Sequence, residues 1–170
     1  MNSTELNFYE QRTIEWNGAS QSIVMIDQTL LPARFAFVEC KTVPEVIDAI
    51  KKMKIRGAPA IGVAGAMGVA LSVNRSRAKT KAQLLQDIQR DAIELKLARP
   101  TAVNLSWGVD RTVRFLTDSL REVFEPGDPS RLVVDFVQKL ADDDVNTNIK
   151  LSDIGAKLFR TGDSVLTHCN

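Results

Sequence analysis

An arginine and a glycine stand directly before a helix that is predicted to begin at Pro59. The free N–H groups of a helix N-terminus, together with the positive end of the helix dipole, form a binding site for anions. Gly57 lets a ligand approach the backbone closely, and the guanidinium of Arg56 can donate two hydrogen bonds to a phosphate. These residues predict a phosphate site. The alternative is a solvated arginine at a corner between two helices.

A second arginine, Arg99, stands where a predicted helix ends before Pro100. Its guanidinium could clamp a phosphate or a sugar hydroxyl in the same way as Arg56. The alternative needs no ligand, because an arginine in a last helical turn is favoured by the negative end of the helix dipole.

The third candidate is Cys169, which follows a short predicted strand at residues 164–167. Ligands of open α/β sheets bind outside the carboxyl ends of the strands, and a thiol there can transfer protons or act as a nucleophile. The alternative is an inert, buried thiol. The neighbouring His168 is not predicted as its partner, because consecutive strand residues point to opposite faces.

Several classes of function are excluded by composition. The formal net charge is +1, without the basic excess that a nucleic-acid surface needs. The longest apolar run, residues 58–71, is shorter than the roughly 20 residues of a membrane span. No set of side chains has metal-ligand spacing, and residues 142–144 are interpreted as a solvated acidic helix face. Two distant cysteines and the lack of a signal peptide predict a cytoplasmic protein with free thiols.

The elements that position these residues fall into two groups. Alternating apolar residues predict a small β meander, with strands at residues 13–16, 23–26 and 35–39. Helical periodicity then predicts five helices, which start near Pro44, Pro59, Thr80, Val103 and Arg131, and the fourth is predicted to end near residue 124. The buried face predicted for the first helix includes Met53. Apolar stripes are predicted for the third and fourth helices, namely Leu84, Ile88, Ala92 and Leu95 in the third and Val109, Val113, Leu116 and Leu120 in the fourth. The second of these helices contains three interior glycines, which predict close packing against another backbone, namely Gly62, Gly65 and Gly68.

Taken together, three motifs closely resemble those of the methylthioribose-1-phosphate isomerases. They are residues 56–62 (RGAPAIG), residues 99–105 (RPTAVNL) and residues 162–170 (GDSVLTHCN). The superfamily also contains ribose-1,5-bisphosphate isomerases and regulatory subunits of the translation initiation guanine-nucleotide exchange factor. The resemblance implies an α+β N-terminal domain at residues 1–160, a meander followed by a helical bundle. Residues 161–170 would then be the first strand of a truncated Rossmann-like domain.

The resemblance also implies the activity and the site. The family converts 5-methylthioribose 1-phosphate to 5-methylthioribulose 1-phosphate in methionine salvage, without a metal or nucleotide cofactor, and is expected to be homodimeric. Its substrate contacts match Arg56, Gly57, Ala58 and Arg99, and its catalytic cysteine matches Cys169. Its general acid is an aspartate expected beyond the end of this sequence.

The family is about twice as long as this chain, in keeping with a two-domain size, so the 170 residues alone are expected to be inactive. Two alternative functions are compatible with the same motifs. One is a ribose-1,5-bisphosphate isomerase, whose distinguishing contacts would lie outside this sequence. The other is a non-catalytic regulatory subunit, a class that generally lacks the combination of Arg56 and Cys169.

Overall fold

The chain first forms a three-stranded antiparallel sheet in the computed structural model, which describes residues 11–122 and 128–167. The strands follow one another in the order β1-β2-β3 and are β1 (Ile14–Asn17), β2 (Ser22–Ile26) and β3 (Phe37–Cys40). Ile23 and Met25 of β2 are fully buried because alternate residues of a strand face the same side. The predicted meander is confirmed, although β3 begins two residues later than predicted.

In the described part of the chain, five α-helices follow the sheet, as predicted. Their bounds are α1 (Val43–Lys51), α2 (Ala58–Arg75), α3 (Lys81–Leu97), α4 (Val103–Glu122) and α5 (Asp128–Ala156). Two of the starts are explained by threonine caps, because the Thr42 and Thr80 hydroxyls accept hydrogen bonds from the N–H groups of Glu45 and Gln83. The structure is therefore an α+β domain in which a small sheet precedes a helical bundle.

The centre of the bundle is α2, whose residues from Ile61 to Val73 are all buried. It packs against each of the other four helices and against β1. The apolar stripes predicted for α3 and α4 face this core, and Val113 is the one member of the two stripes that is only partly buried. No helix in the described part of the chain is long and apolar enough to cross a membrane.

Two helix boundaries differ from the prediction. Helix α1 ends at Lys51, and Met53, which was expected on its buried face, adopts a positive φ of 58° and is exposed. Helix α5 begins at Asp128, three residues before its predicted start, because the proline at position 129 is compatible with a first helical turn. The predicted end of α4 at residue 124 lies outside the described residues.

The strand predicted at residues 164–167 is wrong. These residues have no regular secondary structure, and Leu166 is 98% exposed. A strand is stabilised by hydrogen bonds to a neighbouring strand, and the three described strands pair only among themselves. The assignment of residues 161–170 to a Rossmann-like domain therefore stays a prediction.

Candidate functional site

The predicted phosphate site lies at the start of α2. Gly57 occupies the N-cap position with φ 90° and ψ 129°, a conformation that favours glycine. It has no side chain with which to cap the helix, whereas α1 and α3 are capped by threonines. Since Pro59 carries no N–H, the donors at this helix start are the N–H groups of Gly57, Ala58 and Ala60. Ala58 and Pro59 are exposed, so the helix start is open to a ligand.

Arg56 is held next to this helix start by its neighbours. Its side chain is half-buried, and the preceding Ile55 is fully buried and anchors the loop to the core. The carbonyl of Lys54 accepts a hydrogen bond from the Gln28 N–H at 2.9 Å, which ties the loop to the segment that follows β2. Arg56 therefore lies half-buried on a fixed loop beside the helix start.

Arg99 lies in the loop between α3 and α4, two residues beyond the end of α3. It is half-buried, and its carbonyl accepts a hydrogen bond from the Ala102 N–H at 2.9 Å in a tight turn that leads into α4. It lies outside the last turn of α3, whose basic residue is Lys96. Arg99 therefore precedes the N-terminus of α4 much as Arg56 precedes that of α2.

The two helix starts are brought together by glycine contacts. A Cβ added to Gly108 of α4 would lie 2.1 Å from the Gly62 carbonyl oxygen, and one added to Gly62 would lie 2.9 Å from that of Asn104. A Cβ on Gly65 would meet Leu105 and Val109, each one residue further along α4. Pro59 in the first turn of α2 and Val103 and Asn104 in the first turn of α4 line the same groove. The first turns of the two helices therefore share one end of the bundle.

The predicted packing against another backbone is thus confirmed for Gly62 and in part for Gly65. The sequence did not reveal their partners, although Gly108 in the middle of a helix was the available signal. Gly68 differs from the other two, because a Cβ there would meet the flexible side chain of Leu95.

A groove of about 400 Å³ opens beside the two helix starts. Helices α2, α4 and α5 contribute its walls, which consist of Pro59, Val63, Val103, Asn104, Trp107, Arg111, Leu140, Asp143, Asp144 and Thr147. Trp107 is 48% exposed, and the Arg111 guanidinium carbon lies 5.1 Å from its ring centroid. The sequence alone does not predict this groove, because its walls come from three distant segments.

The acidic residues 142–144 behave largely as predicted. The side chains of Asp142 and Asp143 are exposed and form ion pairs with Arg12 and Lys139. Asp144 is half-buried at the groove, and burial raises the pKa of its carboxyl group. Within residues 11–122 and 128–167, no three acidic, histidine or cysteine side chains come together as metal ligands.

Of the two cysteines, only Cys40 belongs to the described residues. Cys169, the predicted catalytic residue, lies outside the described residues, as does His168. Cys40 ends β3 with 1% of its surface exposed, and burial is the main cause that raises the pKa of its thiol to about 11. A thiol that is neutral and shielded from solvent is a poor nucleophile, so Cys40 is a structural residue.

Comparison with known proteins identifies the family of this chain. Residues 54–170 match the Initiation factor 2 subunit family, which covers more than half of the chain. A relative from Methanosarcina acetivorans, named "Putative methylthioribose-1-phosphate isomerase", is 43% identical over 94% of this chain and 44% of its own length. The chain therefore belongs to the initiation factor 2 subunit family.

Two solved structures share the fold. The 5-methylthioribose 1-phosphate isomerase from Pyrococcus horikoshii OT3 superposes with a TM-score of 0.80 at 38% identity, over 87% of this chain and 40% of that one. The translation initiation factor eIF-2B subunit delta from A. fulgidus superposes with a TM-score of 0.82 at 37% identity, over 94% of this chain and 45% of that one. The chain thus spans less than half the length of these relatives.

Proposed function

We propose that this chain is the N-terminal part of an isomerase that converts 5-methylthioribose 1-phosphate to 5-methylthioribulose 1-phosphate. The observation that carries the proposal is the juxtaposition of two open helix starts, one preceded by Arg56 and the other by Arg99. The names of the M. acetivorans and P. horikoshii relatives support the same substrate.

The proposed roles follow from the chemistry of an anionic sugar. The N–H groups of Gly57 and Ala58 and the guanidinium of Arg56 bind the phosphate at the positive end of the α2 dipole. Arg99 binds a second oxygen of the phosphate or the sugar from the loop before α4. Two anchors at the starts of packed helices hold the substrate in one orientation, which is the requirement for efficient proton transfer.

The reaction explains why anchoring matters. A sugar phosphorylated on its anomeric oxygen cannot open spontaneously to an aldehyde. The enzyme must therefore assist ring opening and then move a hydrogen between C2 and C1. We propose that Cys169 is one member of the catalytic pair, and that its partner is an aspartate outside this sequence. The cytoplasmic location stays a prediction from the cysteines and the N-terminal residues, and the homodimer stays a prediction of the family resemblance.

The test measures isomerase turnover on two proteins. The first is the 170-residue chain, for which we expect no turnover. The second joins these residues to the part of the M. acetivorans relative that follows the aligned region, and we expect it to turn over 5-methylthioribose 1-phosphate. In the joined protein, Cys169→Ser and Arg56→Ala should each lower turnover by about 100-fold or more. Arg131→Ala, which changes an exposed arginine of α5, is the matched control and should not affect turnover.

Two results would contradict the proposal. A joined protein that is folded and converts ribose 1,5-bisphosphate but not 5-methylthioribose 1-phosphate would establish the rival substrate. Turnover that survives both Cys169→Ser and Arg56→Ala would remove the proposed site.

A second candidate function is supported by the A. fulgidus structure, whose name is that of an initiation factor subunit. In this case the chain would bind partner proteins and would catalyse no isomerisation. The Cys169→Ser variant discriminates between the two, because a regulatory subunit keeps its partners and an isomerase loses turnover.

A further inference from the structure

The segment that follows β2 forms a rigid turn. The Asp27 side chain accepts a hydrogen bond from the Thr29 N–H at 3.1 Å and so caps a short 3-10 helix, Gln28–Leu30. The Asp27 N–H donates to the Ala36 carbonyl at 2.9 Å, and the Arg34 N–H donates to the Leu30 carbonyl at 2.9 Å. With its flanks fixed in this way, Gln28 is presented in one orientation.

Gln28 donates hydrogen bonds to two carbonyls of the loop that carries Arg56, those of Lys54 and of Arg56 itself. Its backbone N–H donates to the Lys54 carbonyl at 2.9 Å, and its side-chain Nε2 donates to the Arg56 carbonyl at 3.4 Å. The side-chain bond is at the long end of the hydrogen-bond range, so its net contribution is modest. The intervening Ile55 is fully buried, so the loop is held from the core on one side and by Gln28 on the other.

The bond to the Arg56 carbonyl also fixes the direction of the next donor. The Arg56–Gly57 peptide is planar and trans, since Leu31-Pro32 is the cis bond found in the described residues, so its C=O and N–H point in opposite directions. Glycine accepts positive and negative φ almost equally, so this peptide could rotate at little cost. A donor that is hydrogen-bonded to the Arg56 carbonyl fixes the orientation of this peptide plane and thereby sets the direction of the Gly57 N–H.

We infer that Gln28 is a positioning residue for the phosphate site at the start of α2. It binds no phosphate itself, but it sets the direction of the Gly57 N–H and the course of the loop that carries Arg56. This inference rests on the proposed function, because it assigns a role within the same site.

The test follows the amide NMR signals of the 170-residue chain during titration with inorganic phosphate and with 5-methylthioribose 1-phosphate. In the unaltered chain, the Gly57 and Ala58 amides should shift as ligand is added. Gln28→Met keeps the length of the side chain and removes the donor. It should raise the dissociation constant about three- to tenfold. It should also move the Gly57 amide signal before any ligand is present.

Gln21→Met is the matched control. The Gln21 Nε2 likewise donates to a backbone carbonyl, that of Gly18 at 2.6 Å, in the turn between β1 and β2. This control should leave the Gly57 signal and the dissociation constant unchanged. If Gln28→Met does not fold, Gln28→Ala provides the same comparison, because alanine also lacks the donor and has a smaller side chain.

The outcomes separate the two proposals. Phosphate binding that is equal in the unaltered chain and Gln28→Met, with an unmoved Gly57 signal, would overturn the role of Gln28 and leave the proposed function intact. A lower melting temperature with an unchanged dissociation constant would also overturn it, because that is the result of a purely structural contact. If neither ligand shifts Gly57 or Ala58 in the unaltered chain, the anchoring site fails, and this inference fails with it.

Discussion

At the scale of single residues, Gly62 and Gly108 allow the backbones of α2 and α4 to approach closely. A Cβ on Gly108 would lie 2.1 Å from the Gly62 carbonyl oxygen, a distance that real Cβ atoms essentially never show. Backbone atoms cannot move aside as a flexible side chain can. The two glycines are therefore required by packing and not by local conformation.

Gly108→Ala should lower the free energy of unfolding by about 1–3 kcal/mol or more, because the added methyl group must push two helices apart. Gly155→Ala is the matched control in α5, where a Cβ would meet nothing within 4 Å. It should be neutral or stabilising by up to about 1 kcal/mol, because alanine favours helix. Urea denaturation of the three proteins measures both changes, and a Gly108→Ala protein as stable as the unaltered chain would contradict the contact.

The sequence predicted the residue-scale features that depend on local pattern. Glycines repeated at helical spacing indicated that α2 packs against another backbone, and an arginine beside a glycine indicated an anion site. The sequence could not indicate that Gly108 packs against Gly62 or that Gln28 donates a hydrogen bond to the Arg56 carbonyl. These pairs are distant in sequence and meet only when the tertiary structure is formed.

At the scale of elements, α5 consists of two unlike halves. Its first half is anchored by residues that pack on the core, namely Val133, Val137, Leu140 and Ala141. Beyond Asp144 its side chains are almost all exposed, including the apolar Ile149, Leu151 and Ile154. The helix is continuous, but only half of it contributes to the described core.

A matched pair of leucines in α5 tests this difference. Leu140 is 8% exposed and Leu151 is 67% exposed. Leu140→Ala should lower the free energy of unfolding by about 2–3 kcal/mol through lost burial and the cavity that remains. Leu151→Ala should change it by about 0.5 kcal/mol or less, because little surface is buried there. Equal losses in thermal or urea denaturation would show that the second half of α5 is packed.

Periodicity explains what was predicted about this helix and what was not. An apolar residue every three or four positions continues through both halves, so the sequence predicted helix throughout. The same pattern cannot tell which stretch has a surface to pack against. The wrong strand at residues 164–167 has a similar cause, because alternation in sequence does not supply a neighbouring strand.

At the scale of the whole molecule, the sheet and the bundle share one core. Ile23 and Met25 of β2 belong to the same buried cluster as Val46 and Ile50 of α1 and the interior of α2. A small domain with a single contiguous core is expected to unfold in one cooperative transition. The meander is therefore a part of the bundle's core and not a separate unit.

The two tryptophans allow a direct test of this cooperativity. Trp16 is buried in β1, whereas Trp107 is partly exposed in α4. In a Trp107→Phe protein, fluorescence reports on the meander and circular dichroism at 222 nm reports on the helices. We expect the two denaturation curves to have the same midpoint, and a separate, earlier fluorescence transition would show that the meander unfolds independently.

The contact between Gly62 and Gly108 also has a consequence for how this protein can change over evolution. The separation of the two arginine-bearing turns is set by main-chain atoms, which are the same in every sequence. Side chains of α2 and α4 that lie outside the contact between the two helices can therefore be exchanged without moving one turn relative to the other. Under the proposed function, selection on substrate recognition would act on these two glycines, which lie outside the proposed phosphate contacts, as well as on Arg56 and Arg99.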